Sequence, residues 1–373
     1  MTAVELSRAA PFNNPLSGAA YDTEILGGYR GSSRSSRPIP LWPDRSRLEA
    51  LAGQVPAFDL DFTQRSIVDR IDGINPTFTR AGSTKLAWDG TQFQSYAADV
   101  PAFQLAADGV WEYLHEPAAT NIYLNSNAPA TQGITVTAQQ YTLSFYGTGT
   151  LTLSGASTAG PLVGTGAEPN RVSLTFTPSA GSLTVTLSGS ISRPQLETGP
   201  VATSPIITAG SAATRTADAM TIGGANGLAL AAALGSSFWA FVEGTYFSST
   251  TAPFISADDN TTNERWRVGA NGLGSGNMLS LDGGAVQASI NYGAGSWPLG
   301  SNRRIATSFA TNNFRGIITG EVQGSDLLGT LPTVTQFKIG DAAAIGQIPA
   351  LAIRRIALFP GIPSDATLSA VVN

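Results

Sequence analysis

A chain of 373 residues with 42% hydrophobic content is long enough for two β-sandwich domains and an arm, and too apolar for a disordered protein. Charged residues make up only 13% and the net charge is −5, so the field of the whole molecule repels nucleic acid, and no basic stripe overrides it. Cysteine is absent, which removes disulfide frameworks, thiolate metal sites and cysteine nucleophiles together. That composition fits a chain folded in a bacterial cytosol and used outside the cell. No basic stretch leads into an apolar run near the start, so a signal peptide is not expected. No run approaches the ~20 apolar residues of a membrane span, so membrane insertion is not expected either.

Residues 1–56 read as an arm. Pro11, Pro15, Pro38, Pro40, Pro43 and Pro56, with Gly27-Gly28 and the serines around Arg34, interrupt any long periodic element. Arg30, Arg34, Arg37, Arg45 and Arg47 sit among serines and prolines, the pattern of a solvated or partner-contacting segment. A short helix is expected near Asp44 to Leu51, with Asp44 as its cap. Aromatic and apolar residues such as Phe12, Tyr21, Tyr29 and Trp42 recur without forming a face, as in arms that dock on partners or sister chains.

From about residue 57 the pattern becomes short strands. Tyr141 to Tyr146, Leu151-Thr152-Leu153, Val172 to Thr177 and Leu183 to Leu187 alternate apolar residues with Thr or Ser. This is the period of two of a sheet with one buried face. Glycines and prolines punctuate the intervals, so 57–210 reads as an antiparallel, jelly-roll-like β-sandwich. Asp59 and Asp61 share one side of a strand, which is expected to be an exposed edge.

The stretch near 205–216 is rich in Pro, Gly, Ser, Thr and Ala and is the expected domain boundary. Residues 216–373 then give a second set of strands, among them Ser237 to Gly244, Arg265 to Gly269, Met278 to Leu281, Arg304 to Phe309, Phe314 to Ile318, Gln336 to Gly340 and Ala352 to Phe359. A final helix is expected over Pro363 to Val372 with Ser364 as its cap. The fold class is therefore all-β: an extended arm followed by two antiparallel sandwiches.

Two stretches carry a resemblance. Tyr113-Leu114-His115-Glu116-Pro117-Ala118-Ala119-Thr120-Asn121-Ile122 follows Arg80-Ala81-Gly82-Ser83-Thr84 and Trp88-Asp89-Gly90. Arg193-Pro194-Gln195-Leu196-Glu197-Thr198-Gly199-Pro200 and Ala202-Thr203-Ser204-Pro205 lead to Thr214-Arg215-Thr216-Ala217-Asp218. In this order they resemble the EPAATN and QLE-G-ATS elements of bacteriophage head-spike and tail-fibre structural proteins, over about 78–222. The C-terminal block resembles the concanavalin-A/laminin-G sandwich class through Phe337 to Gly340, Ala352 to Phe359 and Ser364 to Leu368. The first resemblance implies a virion protein made in the host cytoplasm and carried on the particle exterior. Its partners would be other capsid or tail proteins through residues 1–56 and a host surface glycan or receptor, and its assembly a homotrimer.

Enzymatic signals are sparse. His115 is the sole histidine, with no second histidine or cysteine to complete a metal site and no G-x-S-x-G elbow for a triad. It is expected to shape the turn before Pro117 with Glu116. Asp258, Asp259, Asn260 and Glu264 make an oxygen-rich loop without EF-hand spacing. Trp239 is expected in the core, and Trp266 alternates with Arg265 and Arg267. Tyr292 and Trp297 flank Gly293 and Gly295 and could stack on a sugar, with Asp258, Asp259 and Asn260 as hydroxyl partners if the two loops share one end of the sandwich. The expected function is a non-enzymatic spike or fibre subunit with a carbohydrate-binding surface, needing no cofactor or metal. A polysaccharide-cleaving spike and a purely structural decoration protein are the alternatives.

Overall fold

Apolar runs that are buried on both faces organise the molecule. In the strand Ser237–Tyr246, Phe238, Ala240 and Val242 enter the core between two large sheets, while Trp239 and Phe241 pack on the opposite face under two helices. A continuous apolar run is what such a strand requires. The computed structural model describes residues 43–373 except 72, 249, 273, 322 and 342–347, with backbone alone for 43–46. These residues belong to one unit, Leu41–Asn373.

The first large sheet has eight strands, all antiparallel where paired. Its order is Gly324–Asp326, Phe314–Ile318, Arg303–Ala310, Ser237–Tyr246, Leu351–Pro360, Trp111–His115 and Phe103–Leu105. Phe58–Asp61 and Trp111–His115 share one edge of Leu351–Pro360: Phe58 lies opposite Leu358, and Tyr113 opposite Ile353. The second sheet has seven strands in the order Thr77–Thr79, Ala219–Ile222, Gln336–Ile339, Ala252–Asp258, Arg265–Ala270, Gly276–Asp282 and Ala285–Asn291. Between the sheets lies an aromatic-rich core. Phe238 stacks on Phe309 at 4.8 Å, and Trp266 lies 5.1 Å from each of them.

The partition expected at 205–216 is not the one found. Strands drawn from 58–61, 77–79, 103–105 and 111–115 complete the sheets of the C-terminal block, so a single sandwich runs from residue 58 to the C-terminal region. The middle stretch has a core of its own. There a four-stranded sheet (Leu162–Val163, Thr150–Gly155, Gly181–Ser188, Gln132–Val136) and a three-stranded sheet (Gly166–Phe176, Tyr141–Gly147, Ser192–Thr198) enclose Tyr123, Leu143, Phe145, Leu151, Val185 and Leu196. We call this smaller sandwich the insert. Local alternation finds each strand but carries no record of which strands pair.

The arm also ends earlier than expected. Helix α1, Pro43–Ala52, sends Leu48 and Ala52 into a cluster with Trp239, Phe359, Leu368 and Val371, so these residues are part of the sandwich. Trp239 and Phe359 stack at 3.9 Å beneath them. The expectation that residues 1–42 extend as an arm lies outside the described residues. Helix α2, Gly224–Leu234, lies in a stretch for which no element is expected from the sequence; its signal is the Ala/Leu run from Leu228 to Leu234. Helix α3, Asp365–Val372, is capped as expected: Ser364 Oγ accepts a hydrogen bond from Thr367 N at 3.0 Å.

Candidate functional site

The loops expected to bind a sugar are built differently. Trp297 is fully buried, stacked on Phe254 at 4.8 Å, and its Nε1 donates to Ser301 O at 3.1 Å. Tyr292 is buried as well, its hydroxyl beside Gly316. Asp258 is buried too, with Oδ2 2.7 Å from Lys338 Nζ, while its Oδ1 accepts from Asn260 N at 2.9 Å. Asp259 Oδ1 accepts from Thr261 N at 2.8 Å. The acidic loop is thus a pair of Asx turns on an ion pair.

Nor do the two loops meet. Ala252 pairs with Ala270, and Asp258 with Arg265, so the acidic turn lies at the far end of the strand from Gly274, whose carbonyl accepts from Trp297 N. Six residues of strand span roughly 20 Å. The aromatic pair closes the core, and the acids cap the opposite end. Trp266 is also core, and Asp59 and Asp61 are buried rather than edge-exposed: Arg355 donates to both oxygens of Asp59 at 3.0 Å, and Arg70 pairs with Asp61.

The stretches that carry the spike and fibre resemblance converge instead. Glu116 lies in the segment after Trp111–His115, Arg215 on Ala213–Arg215, Asp218 just beyond, Arg80 directly after Thr77–Thr79, and Lys85 at the start of the hairpin Lys85–Trp88/Phe93–Tyr96. All five side chains are buried. Asp218 receives Arg80 Nη1 at 3.1 Å and Lys85 Nζ at 2.5 Å; Glu116 Oε2 lies 3.0 Å from Lys85 Nζ and 3.1 Å from Arg215 Nη1. Ser204 adds its backbone N at 2.6 Å and its hydroxyl at 2.7 Å to the Glu116 carboxylate. Burial pushes the Glu116 carboxyl up, but Arg215, Lys85 and the Ser204 bonds outweigh it and hold Glu116 well below the usual range. Asp218 is lowered in the same way, chiefly by Lys85 working against burial.

Asn121 and Gln195 extend this clasp into the insert. Asn121 Oδ1 accepts from Tyr123 N and Leu196 N, each at 3.0 Å, and its Nδ2 donates to Ile206 O at 2.9 Å. Gln195 Oε1 accepts from Ile206 N at 2.7 Å, and Glu197 from Thr203 N at 3.0 Å. His115 fits the same frame as a structural residue. Its ring lies so close to Gly340, at φ 73°, that a Cβ there would come within 2.5 Å of it. Burial pushes the imidazole down to about 4, so it is neutral at pH 7. The motif residues fasten insert to sandwich and spend most of their hydrogen-bonding capacity on one another and on nearby backbone; among the described residues, Arg215 Nε and His115 Nε2 are buried without a partner.

Beside the clasp, between hairpin, insert and sandwich, opens a cleft of about 950 Å³. One wall carries aromatic rings: Trp88 lies edge-on to Phe93, and Phe93 edge-on to Tyr146, each at 5.4 Å, with the Arg171 guanidinium 5.6 Å from the Tyr146 ring. The other wall is polar. Gln104 Nε2 donates to Glu112 Oε1 at 2.8 Å, and Arg354 bridges Glu112 at 3.4 Å and Asp108 at 2.8 Å. Burial raises the Glu112 carboxyl in spite of Gln104 and Arg354. Asn302 completes this side, and its Nδ2 is buried without a hydrogen-bond partner. Rings that offer apolar faces opposite paired acid and amide groups can hold a flat, hydroxylated molecule.

Nothing in the sequence marked this cleft. Its residues come from the hairpin, the turn before Trp111, the bulge at Gly166 to Arg171 in the insert and the strand Leu351–Pro360. Trp88, Glu116, Ser204 and Pro205 stand in the sequence only as parts of the motif elements, with no sign that they line one cleft.

No protein-family profile matches the sequence, and no curated protein matches it. Several solved structures are similar in part. The Ruminococcus gnavus IT-sialidase CBM40 bound to alpha2,3 sialyllactose is 14% identical over 37% of this chain and 83% of its own, with a TM-score of 0.34. The NanB sialidase from Streptococcus pneumoniae is 15% identical over 36% of this chain and 24% of its own, with a TM-score of 0.32. The botulinum neurotoxin serotype D binding domain is 14% identical over 41% of this chain and 39% of its own, with a TM-score of 0.33.

Proposed function

We propose that the chain is a non-enzymatic glycan-recognition protein of the phage spike or fibre type, holding saccharide in the cleft between insert and sandwich. The observation that carries this reading is the pairing of an aromatic row, half-buried Trp88 and Phe93 with buried Tyr146, with the Gln104–Glu112–Arg354–Asp108 wall across about 950 Å³. Stacking on the rings and bidentate polar contacts from the facing wall are the two interactions a sugar ring requires. Particle attachment through the segment preceding α1, location on the particle exterior and trimeric assembly follow from the resemblance of the clasp residues to spike and fibre elements.

Isothermal titration of soluble protein with an oligosaccharide panel tests the site. Binding that is lost in Trp88→Ala and Phe93→Ala with an unchanged melt supports it; binding unaffected by either substitution places recognition elsewhere. A chain starting at Leu41, which keeps α1, should fold and bind sugar but fail to load onto particles. Normal loading would refute attachment by the preceding segment.

One observation favours a second reading. Glu112 is a buried carboxyl raised by desolvation, beside Asp108 in the same cleft, an arrangement that glycoside hydrolysis also uses. Release of reducing ends from a bound polysaccharide, abolished by Glu112→Gln, would establish cleavage.

A further inference from the structure

The charges along the cleft are distributed unevenly. Arg354, on the polar wall, is shared among Asp108, Glu112 and, at 3.9 Å, Glu243. Arg171, on the insert wall, has no carboxylate within ion-pair distance among the described residues. Its terminal nitrogens donate to neutral acceptors, among them Thr203 O and, at 2.7 Å, Ser144 Oγ. Each terminal nitrogen carries a second N–H, and Arg171 lines the cleft. A half-buried guanidinium that faces only neutral groups is a charge waiting for a counter-ion.

The clasp behind this wall offers the cleft no free anion. Arg80, Lys85 and Arg215 formally balance Glu116, Asp218 and Glu197, and Glu116, which reaches the cleft, is already held by two cations. The acids that face the cleft from the other side, Asp108 and Glu112, are both tied to Arg354. The insert wall is therefore the positive side of a cleft whose negative groups are spoken for. Arg171 sits at one end of the ring row, over Tyr146, while a second cation, Arg193, lies 4.8 Å from the Phe93 ring and is already paired with Glu168.

We infer that the cleft selects an acidic saccharide, with Arg171 receiving a sugar carboxylate while the Trp88–Phe93 edge carries the apolar face of the neighbouring ring. This rests on the reading of the cleft as a glycan site and narrows its substrate class. Bidentate guanidinium–carboxylate contact is stronger than a neutral hydrogen bond and matches the planar fork of arginine. Partial enclosure limits screening, so binding should weaken with salt by less than a fully exposed pair would.

The test compares oligogalacturonate, oligomannuronate and a sialyl-terminated oligosaccharide with the same molecules after reduction of their carboxyl groups to alcohols. Titration calorimetry on the full chain should give at least ten-fold tighter binding of one acidic form than of its reduced counterpart. Arg171→Gln should erase that difference, and Arg171→Lys should restore part of it. Because Arg171 also holds Thr203 and Ser144, the melt of each variant is recorded; if Arg171→Gln does not fold, Arg171→Lys and the reduced sugars still decide. Equal binding of acidic and reduced forms overturns the acidic selectivity and leaves the glycan reading standing. Silence toward every acidic and neutral sugar overturns both.

Discussion

The clasp and the cleft are adjacent, share Glu116 and use the same residue types, yet one is closed and the other open. In the clasp, the two carboxylates receive Arg80, Lys85, Arg215 and Ser204, and all five charged side chains are buried. In the cleft, among the described residues, Arg171 meets no carboxylate and Asn302 Nδ2 no hydrogen-bond partner. The aromatic residues divide in the same way: Trp297 is sealed against Phe254, whereas Trp88 stands partly exposed at the cleft. Carboxylates already met by cations hold a structure together, and a guanidinium beside solvent that meets no carboxylate is left for a ligand.

The sharpest way to break the clasp is to remove one anion. Asp218→Asn leaves Arg80 and Lys85 without their shared counter-charge, and a loss of about 3–5 kcal/mol is expected, enough to unfold a marginal chain. Urea melts by circular dichroism read it; a loss under about 1 kcal/mol would mean the clasp is ornamental. Next in size is the contrast between tryptophans. Trp297→Ala should cost about 3–4 kcal/mol through the cavity it leaves, and Trp88→Ala about 1 kcal/mol or less. Similar melts for the two variants would erase the distinction between core ring and site ring.

A pH series adds a third test. His115 is held at about 4, below its ordinary 6.5, because burial disfavours the imidazolium. Above pH 6.5 both folded and unfolded states are neutral and the residue adds no pH dependence. As pH falls below 6.5 the unfolded chain takes up the proton first, so stability declines until the folded pKa is reached. Between pH 6.5 and 5, ahead of most carboxylate titration, the expected loss is about 2 kcal/mol. His115→Gln, if folded, should flatten that slope; an unchanged slope would assign it to other groups. The smallest stability effect belongs to the open region. Glu112→Gln keeps the hydrogen-bonding shape and should shift the melt by about 1 kcal/mol or less, while weakening saccharide binding measurably by calorimetry.

Much of the fold was legible because it is written in local pattern. The alternation in Leu183 to Leu187, the apolar run in Ser237–Tyr246 and the Ser364 cap each depend on neighbours in sequence, and each is present as expected. The candidate site was not legible. The ring pair Tyr292 and Trp297, flanked by glycines, looks like a displayed loop, but the glycines let the chain turn back and carry both rings into the core. Asp258 looks like a surface acid because nothing local announces Lys338, which reaches it only through the pairing of two strands distant in sequence.

By itself, then, the sequence determined the all-β class, most strand positions, the C-terminal helix and its cap, and a set of motif residues. These follow from backbone preference and side-chain period, which act within a few residues. Only the tertiary structure decided that residues 58–115 complete the C-terminal sheets, that the motifs at 80, 116, 195–204 and 215–218 form one buried clasp, and that Trp88, Glu112, Arg171 and Arg354 face one cleft. Those outcomes depend on which strands pair and on which charges are withdrawn from water together. Such choices are made by long-range burial, and no local segment of the chain encodes them.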